Sequence, residues 1–142
     1  MKYPYSLKIF SEEETKNIAL DFSKDLRNGD VVILNGDLGS GKTFFVKEIG
    51  KFFGINNVSS PTFAIVNEYS GKTKIYHFDF YRIQKSEELF NIGFNDYLND
   101  SEAVMFIEWG ELFPEILPGK RYEIKITLNE DFSRTFKIEK YD

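Results

Sequence analysis

The sequence contains no cysteine, which excludes a disulfide scaffold and any cysteine-ligated zinc or iron–sulfur site and agrees with a reducing compartment. It has no run of basic residues, and its formal net charge is −5. The field of such a chain repels a phosphate backbone unless a local patch overrides it, so direct binding to a nucleic acid is not expected. No stretch reaches the roughly 18 consecutive apolar residues that a membrane-spanning helix needs, and Met1-Lys2-Tyr3-Pro4-Tyr5 is not followed by an apolar signal-peptide core. A soluble, cytoplasmic protein is the expectation. Internal repeats, low-complexity tracts and linker-like segments are lacking as well, so residues 1–142 are expected to form one domain. The 42% hydrophobic and 17% aromatic content supplies a core that needs no metal or disulfide staple.

Ser11-Glu12-Glu13-Glu14 has capping-box spacing, and Ile18, Phe22 and Leu26 recur at helical steps until Asn28-Gly29, which predicts an amphipathic helix. Val31-Val32-Ile33-Leu34 is apolar on both faces and bounded by glycines, as a buried parallel strand would be. A second helix is predicted from Lys42 to Phe53, with Phe45, Val46, Ile49 and Phe53 inward and Gly54 as its cap. Residues 63–69 and 74–78 flank Ser70-Gly71-Lys72 as a hairpin, and a small helix covers Ser86 to Asn91. Ala103 to Ile107 form another buried strand that delivers Glu108 at its carboxyl end, where open α/β sheets bind ligands. Alternation at Tyr122, Ile124, Ile126 and Leu128, then at Phe136 and Ile138, predicts a closing antiparallel pair. The expected fold is α/β: three layers, with a mostly parallel central sheet flanked by helices and extended by antiparallel strands.

Between the first strand and second helix lies Gly36-Asp37-Leu38-Gly39-Ser40-Gly41-Lys42-Thr43, a complete G-x-x-x-x-G-K-S/T motif in the strand–loop–helix context that gives it meaning. The glycines let the backbone turn its amides toward phosphate oxygens, and the helix adds its positive end. Lys42 reaches the β and γ phosphates, and Thr43 offers a hydroxyl to Mg²⁺. ATP and Mg²⁺ are the expected ligands. Mg²⁺ takes few protein oxygens and keeps waters, so a carboxylate ending a neighbouring strand is the expected second contributor, and Glu108 occupies that place. Trp109 either stacks near the nucleotide or fills core. If the second hairpin strand alternates, His77 and Asp79 share a face. Asp79 then either orients a water for attack on the γ phosphate or caps the following turn. His77, the sole histidine, reads as structural, and Arg82 as a surface ion-pair partner. In Ser59-Ser60-Pro61-Thr62 a threonine can sense the γ phosphate as switch loops do, or the segment is a plain Ser-Pro turn.

Taken in order, the Gly36–Thr43 loop, Ser60-Pro61-Thr62-Phe63, His77-Phe78-Asp79-Phe80-Tyr81-Arg82 and Ile107-Glu108-Trp109 resemble the TsaE (YjeE) family, and the resemblance extends over nearly the whole chain. It implies a small ATPase required for N6-threonylcarbamoyladenosine at position 37 of tRNAs that read codons beginning with A. In that family ATP turnover resets an assembly of TsaB and TsaD, which carry the transfer chemistry, while TsaC makes the threonylcarbamoyl-adenylate donor. The resemblance gives Lys42 a phosphate contact, Thr43 and Glu108 the Mg²⁺, Thr62 a switch-like loop, Asp79 the water-orienting role and Trp109 a place near the nucleotide. It also suggests Ser11 and Thr15 on the adenine side and Arg134 near the nucleotide. Two departures stand out: Phe44 replaces a threonine usual in the family, which removes a hydroxyl from the α-phosphate side, and Gly110 replaces a common proline.

Two other functions fit a phosphate loop. A small kinase would need an acceptor pocket and usually an arginine-rich lid, but only Arg27, Arg82, Arg121 and Arg134 occur, and they are scattered. A nucleotide-dependent binding module with negligible hydrolysis is the other, since an unassisted phosphate loop is a poor catalyst. No Asn-Lys-x-Asp segment is present to read guanine.

Overall fold

The computed structural model describes residues 1–61 and 64–142. Among these residues seven strands form one sheet: β1 (Tyr5–Ile9), β2 (Val31–Asn35), β3 (Val66–Ser70), β4 (Lys74–Asp79), β5 (Ala103–Glu108), β6 (Arg121–Leu128) and β7 (Arg134–Tyr141). The spatial order is β1-β7-β6-β2-β5-β4-β3. The four central strands run parallel, while β1, β7 and β3 attach antiparallel at the edges.

The three layers follow from the pleat. Val31 to Leu34 are all buried, yet alternate residues leave β2 in opposite directions. Val32 and Leu34 join Val104 and Phe106 beneath α1 (Glu12–Asp25) and α2 (Lys42–Phe52), which contribute Ile18, Phe22, Phe45 and Ile49. Val31 and Ile33 join Met105 and Ile107 on the other face, covered by Leu89 of α3 (Ser86–Asn91) and Phe94 of α4 (Phe94–Leu98). A strand buried on both sides has no polar alternation, which is why its sequence is a continuous apolar run.

Helix α1 begins where expected: the Ser11 hydroxyl accepts the Glu14 amide at 3.3 Å, and Glu12, Glu13 and Glu14 lie in the first turn. It stops at Asp25 because Leu26 turns extended, three residues short of Asn28-Gly29. The hairpin is shorter than its sequence pattern, with Ala64 and Ile65 in a bend before β3 and residue 63 outside the described set. Its turn is anchored to the end of α2, where Lys72 donates to the Phe53 carbonyl at 2.7 Å. That approach requires Gly71, since a Cβ there would lie 2.3 Å from Phe53 O. Strand β1 and helix α4 have no counterpart in the sequence reading.

Gly71→Ala is expected to lower unfolding stability by about 1–3 kcal/mol because the carbonyl it meets is backbone and cannot step aside. Gly119→Ala, with nothing within 4 Å of the added carbon, is expected to stay within about 0.5 kcal/mol of the parent. Equal urea midpoints for the two variants would contradict the docking of the hairpin turn on α2.

Candidate functional site

The site lies at the carboxyl ends of β2, β5 and β4, and parallel register assembles it. Leu34, one residue before the end of β2, pairs with Glu108, and Glu108 pairs with Asp79. Because Val104, Phe106 and Ile75 face α2, residues two or four further along the same strands, Glu108, His77 and Asp79, face α2 as well.

The loop between β2 and α2 is shaped by Gly36, Gly39 and Gly41, with φ of +152°, +79° and +111°. At Gly36 a Cβ would lie 2.5 Å from the Ile126 carbonyl, so packing as well as conformation demands glycine. Ser40 donates its amide to Asp37 O at 3.1 Å, and the Arg134 guanidinium donates to Ser40 O at 2.9 Å, which ties the loop to β7. The two long helices contrast at their starts. Helix α1 has a serine cap and three glutamates, whereas α2 starts at Gly41 with no side-chain cap and no acidic residue in its first turn. The first amides of α2 therefore keep their positive potential for an anion.

Lys42 is nearly buried. Its ammonium donates to the Gly36 carbonyl and lies 3.7 Å from the centre of the Trp109 ring. Burial pulls its pKa down, opposed by the carboxylates of Glu108, Glu111, Asp79 and Asp37. Trp109 takes a left-handed conformation (φ +63°) that carries the chain from β5 into the short 3-10 turn Gly110–Leu112, and its ring packs on Tyr81 with centroids 4.9 Å apart. The indole thus touches the phosphate-loop lysine. Gly110 follows closely packed on β2, where a Cβ would lie 2.7 Å from Ile33.

Thr43 donates its hydroxyl to both oxygens of Glu108, at 2.9 and 3.2 Å, and Glu108 is 4% exposed. These are hard oxygen ligands of the kind Mg²⁺ selects. Among the described residues no cluster of three or more His, Cys, Asp or Glu could hold a metal alone. Two protein oxygens suit an ion that completes its shell with phosphate oxygens and water, so the residues fit Mg²⁺ held together with a nucleotide. Asp79 accepts the Tyr81 amide at 2.9 Å, so it does cap the turn, and it also lines the loop cleft. Burial raises its pKa first, and the nearby Glu108 charge raises it further.

A cleft of about 260 Å³ brings Leu38, Gly39, Gly41, Lys42, Thr43, Phe44, Asp79, Glu108 and Trp109 together. Across Phe44 lies a second cleft of about 130 Å³ lined by Glu12, Thr15, Ser40, Phe44, Arg134 and Phe136. Thr15 and Arg134 thus sit beside the loop. Ser11 is exposed, its hydroxyl is taken by the α1 cap, and the adjacent Glu12 lines the cleft instead. Thr62 lies outside the described residues. Ser60 lines the loop cleft too, and with Pro61 and Arg82 it lines a larger cavity of about 630 Å³ beyond Asp79. Sequence reasoning left His77 out of the site, although it lies 2.6 Å from Glu108. The signal was its alternation with Asp79.

A buried strand, a glycine-shaped loop, an uncapped helix start and a carboxylate on the adjacent parallel strand define a nucleotide-binding protein of the P-loop class. The family model described as "Threonylcarbamoyl adenosine biosynthesis protein TsaE" matches residues 9–136, and the chain belongs to the TsaE family. It is 42% identical over 133 residues to the tRNA threonylcarbamoyladenosine biosynthesis protein TsaE of Rickettsia typhi, covering 92% of this chain and 91% of that one. It is 40% identical over 124 residues to the protein of the same name in Bacillus subtilis, covering 86% and 77%. Its structure resembles the crystal structure of Bacillus subtilis YdiB with a TM-score of 0.80 and 32% identity, covering 97% and 86%. No described helix is long and apolar enough to cross a membrane.

Because the indole covers the Lys42 ammonium, adding ADP or ATP is expected to change the emission of Trp109, the only tryptophan. Lys42→Ala, which has no ammonium on the indole, is expected to bind nucleotide more weakly by roughly 10- to 100-fold when affinity is read by calorimetry, the range of a lost charge-assisted hydrogen bond. Unchanged affinity would move the phosphate site elsewhere.

Proposed function

We propose that residues 1–142 act as one cytoplasmic ATPase domain that binds ATP with Mg²⁺ and hydrolyses it in the formation of N6-threonylcarbamoyladenosine on tRNA. Its turnover is coupled to the TsaB–TsaD assembly. The observation that carries this reading is the convergence of Lys42, Thr43, Glu108 and Asp79 on one cleft at the uncapped start of α2.

In this reading the loop amides and Lys42 take the β and γ phosphates, Lys42 exchanging the Gly36 carbonyl and the Trp109 face for phosphate oxygens. Thr43 and Glu108 would hold Mg²⁺, which supplies charge neutralisation on the phosphates. The cleft beyond Gly41 takes the adenine, with the Phe44 ring as an apolar wall and the Glu12 carboxylate as an acceptor for the exocyclic amine. Asp79 accepts a proton from the attacking water, and the Tyr81 amide, bound to Oδ1, fixes the carboxylate plane. Of the arginines, Arg134 is committed to Ser40 O on the adenine side and Arg121 to Glu123 at 2.9 Å. Arg27 donates to the Lys24 and Leu26 carbonyls at 3.1 Å, and Arg82 lines the larger cavity beyond Asp79 rather than the loop cleft. Lys42 is then the cation of the loop cleft itself, which supports slow hydrolysis alone and faster hydrolysis in the assembly.

The test is ATP hydrolysis by the chain alone and with TsaB and TsaD. The expected result is stimulation by the partners that Asp79→Ala removes while nucleotide affinity stays within about threefold, since an interaction used only in the transition state leaves ground-state binding intact. Phosphate transfer to an added metabolite without partner stimulation would contradict it and favour a kinase. The raised pKa of Asp79 sets the pH dependence: protonation removes the accepting lone pair, so kcat/KM is expected to fall on acidification while still above pH ~4, the ordinary aspartate range. A profile flat down to that range would contradict the role given to Asp79.

A further inference from the structure

His77 is fully buried in β4, paired with Asn67 on one side and Phe106 on the other. Its Nδ1 has no hydrogen-bond partner among the described residues. A buried imidazole with one nitrogen unpaired is a poor core residue, because desolvating that nitrogen costs free energy that a valine or phenylalanine would not lose. Its polar contact is Nε2 to Glu108 Oε2 at 2.6 Å, a short hydrogen bond between two side chains almost closed to solvent. The contact to Glu108 is what an apolar residue could not supply.

Glu108 needs that contact. The Thr43 hydroxyl is shared between its two oxygens and leaves the carboxylate free to swing about its last bond. Nε2 breaks the symmetry. Oε2 receives both His77 and the shorter Thr43 bond, at 2.9 Å, whereas Oε1 receives only the longer one, at 3.2 Å. We propose that His77 is a positioning residue: its Nε2–H pins Oε2 of Glu108, so that Oε1 is the oxygen presented to Mg²⁺. This rests on the assignment of Thr43 and Glu108 to the metal and adds to it the donor that aims the carboxylate. Ligating groups are commonly oriented this way by a hydrogen bond from behind.

The side-chain chemistry defines the test. Glutamine can place an amide donor near the position of Nε2, asparagine is too short, and leucine has no donor. ADP affinity is measured by calorimetry with Mg²⁺ and with chelator. His77→Leu and His77→Asn are expected to lose the Mg²⁺-dependent gain in affinity by about 10-fold or more, the usual effect of losing an outer-shell partner. Their affinity in chelator should stay within about twofold, and His77→Gln should recover most of the gain. Equal losses with and without Mg²⁺, or no loss, would overturn the inference. If the wild type shows no Mg²⁺-dependent gain, or if Glu108→Gln keeps it, the metal assignment fails and the inference with it. If Glu108→Gln loses the gain and His77→Leu keeps it, the inference alone fails. The wild type gives a reading that no folding defect can blur, because a single histidine means one pair of imidazole nitrogen resonances. The expected spectrum shows Nε2 protonated and Nδ1 bare, with Nε2 shifted in Glu108→Gln. The opposite tautomer would overturn the inference.

Discussion

The hydrogen bond from Thr43 to Glu108 joins residues 65 apart in sequence, one in the first turn of α2 and the other at the end of β5. It forms only if β2 and β5 are parallel and in the register that sets Leu34 beside Glu108, because a one-residue slip would turn the carboxylate to the opposite face. The same register brings Asp79 alongside Glu108 and lets the Trp109 amide reach the Leu34 carbonyl at 3.3 Å. The strand pairing that builds the core therefore also sets the spacing of the two carboxylates in the cleft.

The groups that line or back this cleft are a burden to the folded state. Lys42, Glu108 and His77 are buried, Asp79 is held in a surrounding that raises its pKa, and Trp109 takes a left-handed backbone conformation that bulky residues avoid. The offset comes from the apolar layers on both faces of the sheet, where Phe22, Phe45, Phe106 and Phe136 fill one side and Phe78, Phe80 and Phe94 the other with no exposure. The α2 helix belongs to both economies: Phe45 and Ile49 fix its inner face to the sheet, and that rigid seat is what holds Lys42 and Thr43 over the strand ends.

Much of this was legible in the sequence because it is local. The apolar runs of β2 and β5, the glycine loop and the start of α2 each carry their signal within a few residues, and Glu108 was found by its place after a buried run. The C-terminal pair was legible from alternation, but not the parallel pairing of β6 with β2, since pairing partners are set by the whole sheet. Strand β1 escaped because, as an edge strand, it leaves Ser6, Leu7 and Lys8 exposed and shows no two-residue pattern. Helix α4 escaped because five residues are too few to show a period. Ser11 was placed near the nucleotide, yet its hydroxyl caps α1 and Glu12 faces the cleft, a one-residue difference that only the helix phase resolves. His77 was read as structural because its partner lies 31 residues away across a parallel pairing.

The central claim is that Thr43 and Glu108 act as one unit toward Mg²⁺ and nucleotide. The most direct measurement is a double-mutant cycle on the Mg²⁺-dependent affinity for ADP with Thr43→Val, Glu108→Gln and the pair. Residues that share one ligand do not contribute independently, so the double variant is predicted to lose little more than the worse single variant. Losses that add in full would contradict the account, because they would place the two side chains at separate sites.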